Sequence, residues 1–159
     1  MHALDHLSGH VKRFRKSKSR GYDMTTSISR PLPARTAVST PFWEAADRRE
    51  FRLPYCDSCG ETHFPPSPRC PHCLADSFTW RQASGKATLI SWIVFHRAYW
   101  DGVKGDLPYN VCIVRLAEGP RMLSNLVGEA EKNPRYGMEL AVTFSDRFPD
   151  LMLPVFDTE

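Results

Sequence analysis

Four cysteines stand in two matched pairs, Cys56-Asp57-Ser58-Cys59 and Cys70-Pro71-His72-Cys73, with ten residues between them. Thiolates in two Cys-x-x-Cys pairs fit one tetrahedral Zn²⁺ at Zn–S distances of about 2.3 Å. Each pair forms a tight knuckle whose sulfurs face one centre, and the short span between them folds back to bring the second knuckle to the first. Gly60 lets the chain turn with φ > 0. Pro65, Pro66, Pro68 and Pro71 stiffen the return path. A disulfide pair and a redox-active Cys-x-x-Cys are the rival readings. Disulfides need an oxidising compartment, and no charged-then-apolar-then-small secretory pattern opens the chain. A redox motif leaves the second pair unexplained. Four protein thiolates fill a tetrahedral shell, so the expected Zn²⁺, one per chain, is structural and not catalytic.

Other reactive side chains form no nucleophile–base set. Cys112 lies mid-strand among Val111, Ile113 and Val114 and reads as a buried, inert thiol. Ser-x-x-Lys, Gly-x-Ser-x-Gly and Walker-type loops are absent. His63 and His72 sit inside the cysteine-bearing span as spare ligands at most. His96 ends a long apolar run and leads into Arg97, Tyr99 and Trp100, then a Gly-containing loop and Tyr109. Placed at a barrel mouth, His96, Arg97, Tyr99, Trp100 and Tyr109 could hold an adenine ring, a pantetheine arm or a base. Equally, the aromatics could cap the barrel end with Arg97 solvated. No catalytic residue is assigned.

Charge narrows the partners. The whole chain carries +3, but residues 1–23 hold six basic side chains and two acidic ones, leaving 15 basic against 16 acidic elsewhere. Residues 85–159 carry 8 basic against 10 acidic side chains. Neutralisation of phosphates dominates nucleic-acid binding, so a net-acidic barrel makes single-stranded nucleic acid the weaker alternative. No apolar run approaches the roughly 20 residues of a membrane span, and the expected location is cytoplasmic.

The elements that must position these residues follow in order. Residues 1–39 read as a flexible basic leader rich in Ser, Thr, Arg and Pro. Met24 offers an alternative start, with 1–23 an over-extended reading frame. His2, His6 and His10 fall at four-residue spacing that could chelate a metal, and read more simply as tail residues. Residues 40–54 read as an amphipathic helix, with Thr40 as N-cap, Pro41 first, Phe42, Ala46 and Leu53 on one side, and Pro54 ending it. Phe42 and Trp43 read as core. Residues 55–76 form the zinc ribbon, with Tyr55, Phe64 and Phe78 expected around the metal. From 77 onward, strands recur at short intervals: 77–82, 87–96, 109–117, 121–127, 139–145 and 151–156. A long first strand and an irregular connection from 128 to 137 favour an OB-fold barrel over residues 77–159.

The helix, ribbon and barrel order carries a likeness. Pro41-Phe42-Trp43, Tyr55 through Gly60, Pro65-Pro66, Arg69 through Cys73, Gly119-Pro120-Arg121, Asn125 through Gly128, Gly137-Met138 and Leu153 through Phe156 together resemble the acyl-CoA-associated, rubredoxin-like zinc-ribbon/OB-fold family, long known as a domain of unknown function. The likeness covers about residues 40–159. It implies a mostly β chain that is a non-catalytic accessory subunit. Such subunits sit beside thiolase-like enzymes or hot-dog-fold enoyl-CoA hydratases and help form a CoA or acyl-CoA site.

Overall fold

The computed structural model describes residues 32–99, 101–148 and 151–159. Most of the expected leader, including His2, His6 and His10, and also Trp100, lie outside the described residues.

Helix α1 (Thr40–Asp47) begins one residue earlier than expected, with Ser39 in the capping position and Pro41 in the first turn. Phe42, Ala45 and Ala46 form its buried face. It ends well before Pro54. The Glu50 N–H bonds back to the Ala45 carbonyl at 2.9 Å and the Arg49 N–H to the Ala46 carbonyl at 2.7 Å. This is a Schellman stop, with Arg49 in the left-handed region at φ 59°. The chain then straightens into strand β1 (Arg52–Cys56), so Leu53 and Pro54 belong to a strand and not to the helix. Proline is tolerated there because β1 has strand β2 (Phe78–Gln82) on one side only. The register runs from Arg52 opposite Gln82 to Cys56 opposite Phe78. Residues 78–82, expected to open the barrel, thus pair within the ribbon.

Five strands make the barrel: β3 (Lys86–Phe95), β4 (Tyr109–Leu116), β5 (Arg121–Ser124), β6 (Glu139–Phe148) and β7 (Leu151–Asp157). Their order is β5-β4-β3-β6-β7, all neighbours antiparallel. A parallel bridge from Leu126 to Phe156 nearly closes the ring. Short helix α2 (Gly128–Lys132) fills the irregular connection, and a 3₁₀ turn covers Asp101–Asp106. A bulge between Leu89 and Ser91 lets long β3 bend. Its first part pairs with β6 only over Lys86–Thr88.

One core runs through both parts. Phe64 packs on Phe42 (centroids 5.1 Å apart), Phe42 on Phe51 (6.3 Å) and Phe51 edge-on to Phe156 (6.5 Å). Phe42 is core, as its position in the helix suggested, while Phe64 turns to the helix. Leu53, Leu89, Cys112, Val114 and Leu126 belong to the same buried cluster. No helix among the described residues is long and apolar enough to cross a membrane.

Candidate functional site

The two knuckles repeat one turn. In the first, the Cys56 N–H bonds to the Glu61 carbonyl (2.9 Å) and the Gly60 N–H to the Cys56 carbonyl (2.8 Å). In the second, Cys70 N–H bonds to Ala75 (2.7 Å) and Leu74 N–H to Cys70 (2.9 Å). This turn needs a left-handed residue in its fifth position. Gly60 supplies φ 76° at no steric cost, whereas Leu74 adopts φ 65°. Asp57 ties the first knuckle to β2, accepting from Ser77 Oγ at 2.5 Å and Thr79 Oγ1 at 2.7 Å. Those hydroxyls, Ser77 first, hold its carboxyl below the usual range.

All four sulfurs converge, lying within 4.8 Å of one another. Cys56 and Cys73 Sγ are 3.5 Å apart, and Cys59 and Cys70 Sγ 3.7 Å. A tetrahedron with metal–sulfur bonds of about 2.3 Å has edges of about 3.8 Å. The quartet therefore fits a tetrahedral metal ion, and these separations are far from a disulfide bond of about 2.05 Å. Backbone N–H groups aim at the sulfurs. The Cys59 N–H, with that of Ser58, lowers the Cys56 thiol to about 7. Cys59 has the Glu61 N–H pulling its thiol down, but burial and the three neighbouring sulfurs push it up to about 12. Cys73 is also raised: the Ala75 N–H and Cys59 pull its thiol down, but Cys56, burial and Cys70 push it up. Four thiolates this close together would need a divalent cation to compensate their charge.

Neither ribbon histidine joins the quartet. His63 is buried, accepts the Ser67 N–H on Nε2 at 3.3 Å and packs edge-on to Phe78. His72 is exposed on the second knuckle.

At the far end of the barrel lies a cleft of about 520 Å³. Phe95, Val103, Tyr109, Leu126, Leu153 and Val155 form its apolar wall, with Asn110, Glu131 and Arg147 as polar groups. Arg147 pairs with Asp106 across the mouth. Of the ligand-binding residues suggested by the sequence, Tyr109 lines this cleft, stacked on Phe95 with centroids 5.0 Å apart. His96, Arg97 and Tyr99 are exposed and lie outside its lining. Sequence reasoning missed Asn110, Glu131 and Arg147. Only Asn110 carried a signal: one polar residue at an inward position of an otherwise apolar strand.

Residues 43–79 match the family model for the ChsH2 rubredoxin-like zinc ribbon domain, and residues 80–145 match that for the ChsH2 C-terminal OB-fold domain. A chain in the solved structure of the Ltp2-ChsH2(DUF35) aldolase is 33% identical, with a TM-score of 0.71 over 80% of this chain and 98% of that one. The chain belongs to the ChsH2/DUF35 zinc-ribbon and OB-fold family. A DUF35 domain-containing scaffold protein of Pyrococcus furiosus is 32% identical over 98 residues, covering 58% of this chain and 71% of that protein. A probable enoyl-CoA hydratase alpha subunit of Thermomonospora curvata is 35% identical over 146 residues, which cover 91% of this chain and 44% of that protein. The 3-oxo-4,17-pregnadiene-20-carboxyl-CoA hydratase alpha subunit of Mycobacterium tuberculosis is 27% identical over 133 residues, 84% of this chain and 41% of that protein. The chain thus spans less than half the length of these two hydratase subunits. A DUF35 protein from Sulfolobus solfataricus, 16% identical with a TM-score of 0.57, shares the fold.

Proposed function

We propose that this chain is a non-catalytic accessory subunit of an acyl-CoA-processing complex. It docks on a thiolase-like enzyme or a hot-dog-fold hydratase and helps form that partner's CoA or acyl-CoA site. One observation carries the reading: the described fold spans nearly the whole matching chain of the Ltp2-ChsH2(DUF35) aldolase. Hydratase alpha subunits among the relatives support it.

The metal is Zn²⁺ in a structural role. Cys56, Cys59, Cys70 and Cys73 would hold it, and their four thiolates leave no position for water or substrate. A site of bare thiolates suits a reducing, cytoplasmic setting. The cleft beside Tyr109 suits the apolar portion of an acyl-CoA, being mostly apolar with a few polar groups to orient a ligand.

The test is affinity purification from the native host at moderate salt, with mass spectrometry of what is retained. A stoichiometric acyl-CoA enzyme is expected, with turnover by the pair and none by the chain alone. A solitary protein, an acyl-CoA activity of the isolated chain, or bound RNA removable by nuclease would overturn the reading.

A further inference from the structure

The outer face of β3, β4 and β5 is ordered from end to end. The register pairs Phe95 with Tyr109, Ile93 with Val111, Ile113 with Leu123 and Arg115 with Arg121. Inward-facing Asn110, Cys112 and Val114 are buried, so Tyr109, Val111, Ile113 and Arg115 share the outer face. Tyr99 extends the aromatic end, edge-on to Phe95 at 6.1 Å. Ile93 is 53% exposed and Leu123 67% exposed at the centre of this stripe. Contiguous apolar surface on a sheet marks an interaction site more often than scattered single residues do.

The other end is electrostatically incomplete. Like charges directly opposite on neighbouring strands destabilise a sheet. Arg115 and Arg121 are directly opposite and exposed, and neither makes an ion pair among the described residues. Carboxylates from outside the chain would complete them. The stripe is also continuous with the cleft, since Phe95, Tyr109 and Val111 line both. A protein seated on this face would wall the cleft.

We propose that the outer face of β3–β4–β5 is the docking surface for the acyl-CoA enzyme subunit, with Ile93 and Leu123 at its apolar centre and Arg115 and Arg121 against carboxylates of that subunit. The proposal rests on the accessory-subunit reading and names where the contact falls. Two copies of this chain stacked in the same direction would set arginines against arginines. A folded partner with an apolar patch and an acidic rim completes the surface without that cost.

The experiment uses the full chain and the enzyme subunit that co-purifies with it, with affinity measured by calorimetry. Leu123→Glu and Arg121→Glu should each weaken binding by about 30-fold or more, as central apolar and arginine anchors do. Leu74→Glu, at an equally exposed leucine on the ribbon, should stay within about threefold, as residues outside such anchors do. Reversing an acidic residue of the partner to arginine should restore the Arg121→Glu complex. Both face residues are exposed, so neither variant should melt lower when free, and Arg121→Glu, which sets a carboxylate opposite Arg115, should melt slightly higher. If the wild-type chain binds the enzyme and the face variants bind equally well, the proposal falls while the accessory reading stands. Loss of binding by Leu74→Glu alone would move the contact to the ribbon. A wild-type chain that binds no acyl-CoA enzyme overturns both. A wild-type dimer in light scattering that Leu123→Glu converts to a monomer would make the face a self-interface and overturn the proposal.

Discussion

The Asn110 side chain grips the backbone of Leu126 twice: its Oδ1 accepts the Leu126 N–H at 2.6 Å and its Nδ2 donates to the Leu126 carbonyl at 2.8 Å. The amide thus imitates a strand where β5 has ended and α2 has not begun. Nδ2 also donates to Glu131 Oε1 at 3.0 Å, and Asn125 Nδ2 donates to the Asn110 carbonyl. This buried network holds the β5–α2 connection against β4, beside the bridge from Leu126 to Phe156 that nearly closes the barrel.

Asn110→Ala leaves the Leu126 N–H and carbonyl without partners in a buried setting. Each such group costs about 1–3 kcal/mol, so a loss of about 2–4 kcal/mol is expected in urea unfolding at constant metal. Asn110→Asp keeps the acceptor for the Leu126 N–H. It sets a carboxylate against the Leu126 carbonyl and Glu131, so it should also destabilise at neutral pH and recover as the solution is acidified toward the carboxylate range.

Removing the metal should dissolve the ribbon before the barrel. At the two knuckles converging thiolates take the place of apolar packing, so metal binding supplies much of the local folding free energy. Elemental analysis should find one Zn²⁺ per chain. Strong chelation should lower the melting midpoint by about 10 °C or more, as expected for loss of several stabilising interactions. Cys70→Ser should abolish stoichiometric zinc. A chain that melts identically with and without metal would refute the structural role.

Cys112 should behave unlike the other four cysteines. It is fully buried in β4, and burial pushes its thiol up to about 11. The sign follows from an ordinary thiol value near about 9. The raised folded value contributes stability that is fully present below about pH 9 and lost as pH rises toward about 11. Cys112→Ala should flatten that alkaline decline while costing some packing at every pH. With a thiol reagent at pH 8, four cysteines should react after chelation, and the fifth only on unfolding.

Arg49→Gly should stabilise the protein. Arg49 is exposed and sits at φ 59° in the Schellman stop of α1. A non-glycine residue there costs about 1 kcal/mol relative to glycine. The expected gain is about 1 kcal/mol, read as a rise of about 2–4 °C in the melting midpoint for a chain of this size.

Some of the molecule was legible before any coordinates. Metal ligation depends on residue type and on spacing within a few positions, so the cysteine quartet declared itself. Alternation and turn residues marked six strands close to their observed bounds, and Gly60 marked the first knuckle's turn. The helix stop was hidden. Arg49 occupies a position where glycine is the usual signal, and Pro54 drew attention to a place that is an edge strand. Leu74 concealed the second knuckle's turn in the same way.

What the tertiary structure alone decided concerns partners distant in sequence. Residues 77–82 read as the first strand of the barrel, and only pairing with β1 assigned residues 78–82 to the ribbon. The bend of β3 and the near-closure at Leu126 and Phe156 determined which residues at the barrel end face inward. They put Tyr109, on the outer face of β4, at the edge of the cleft and left His96 and Arg97 outside its lining. Local chemistry is written in neighbouring residues, whereas the shape of a cleft is set by long-range strand pairing and curvature that no short stretch of sequence encodes.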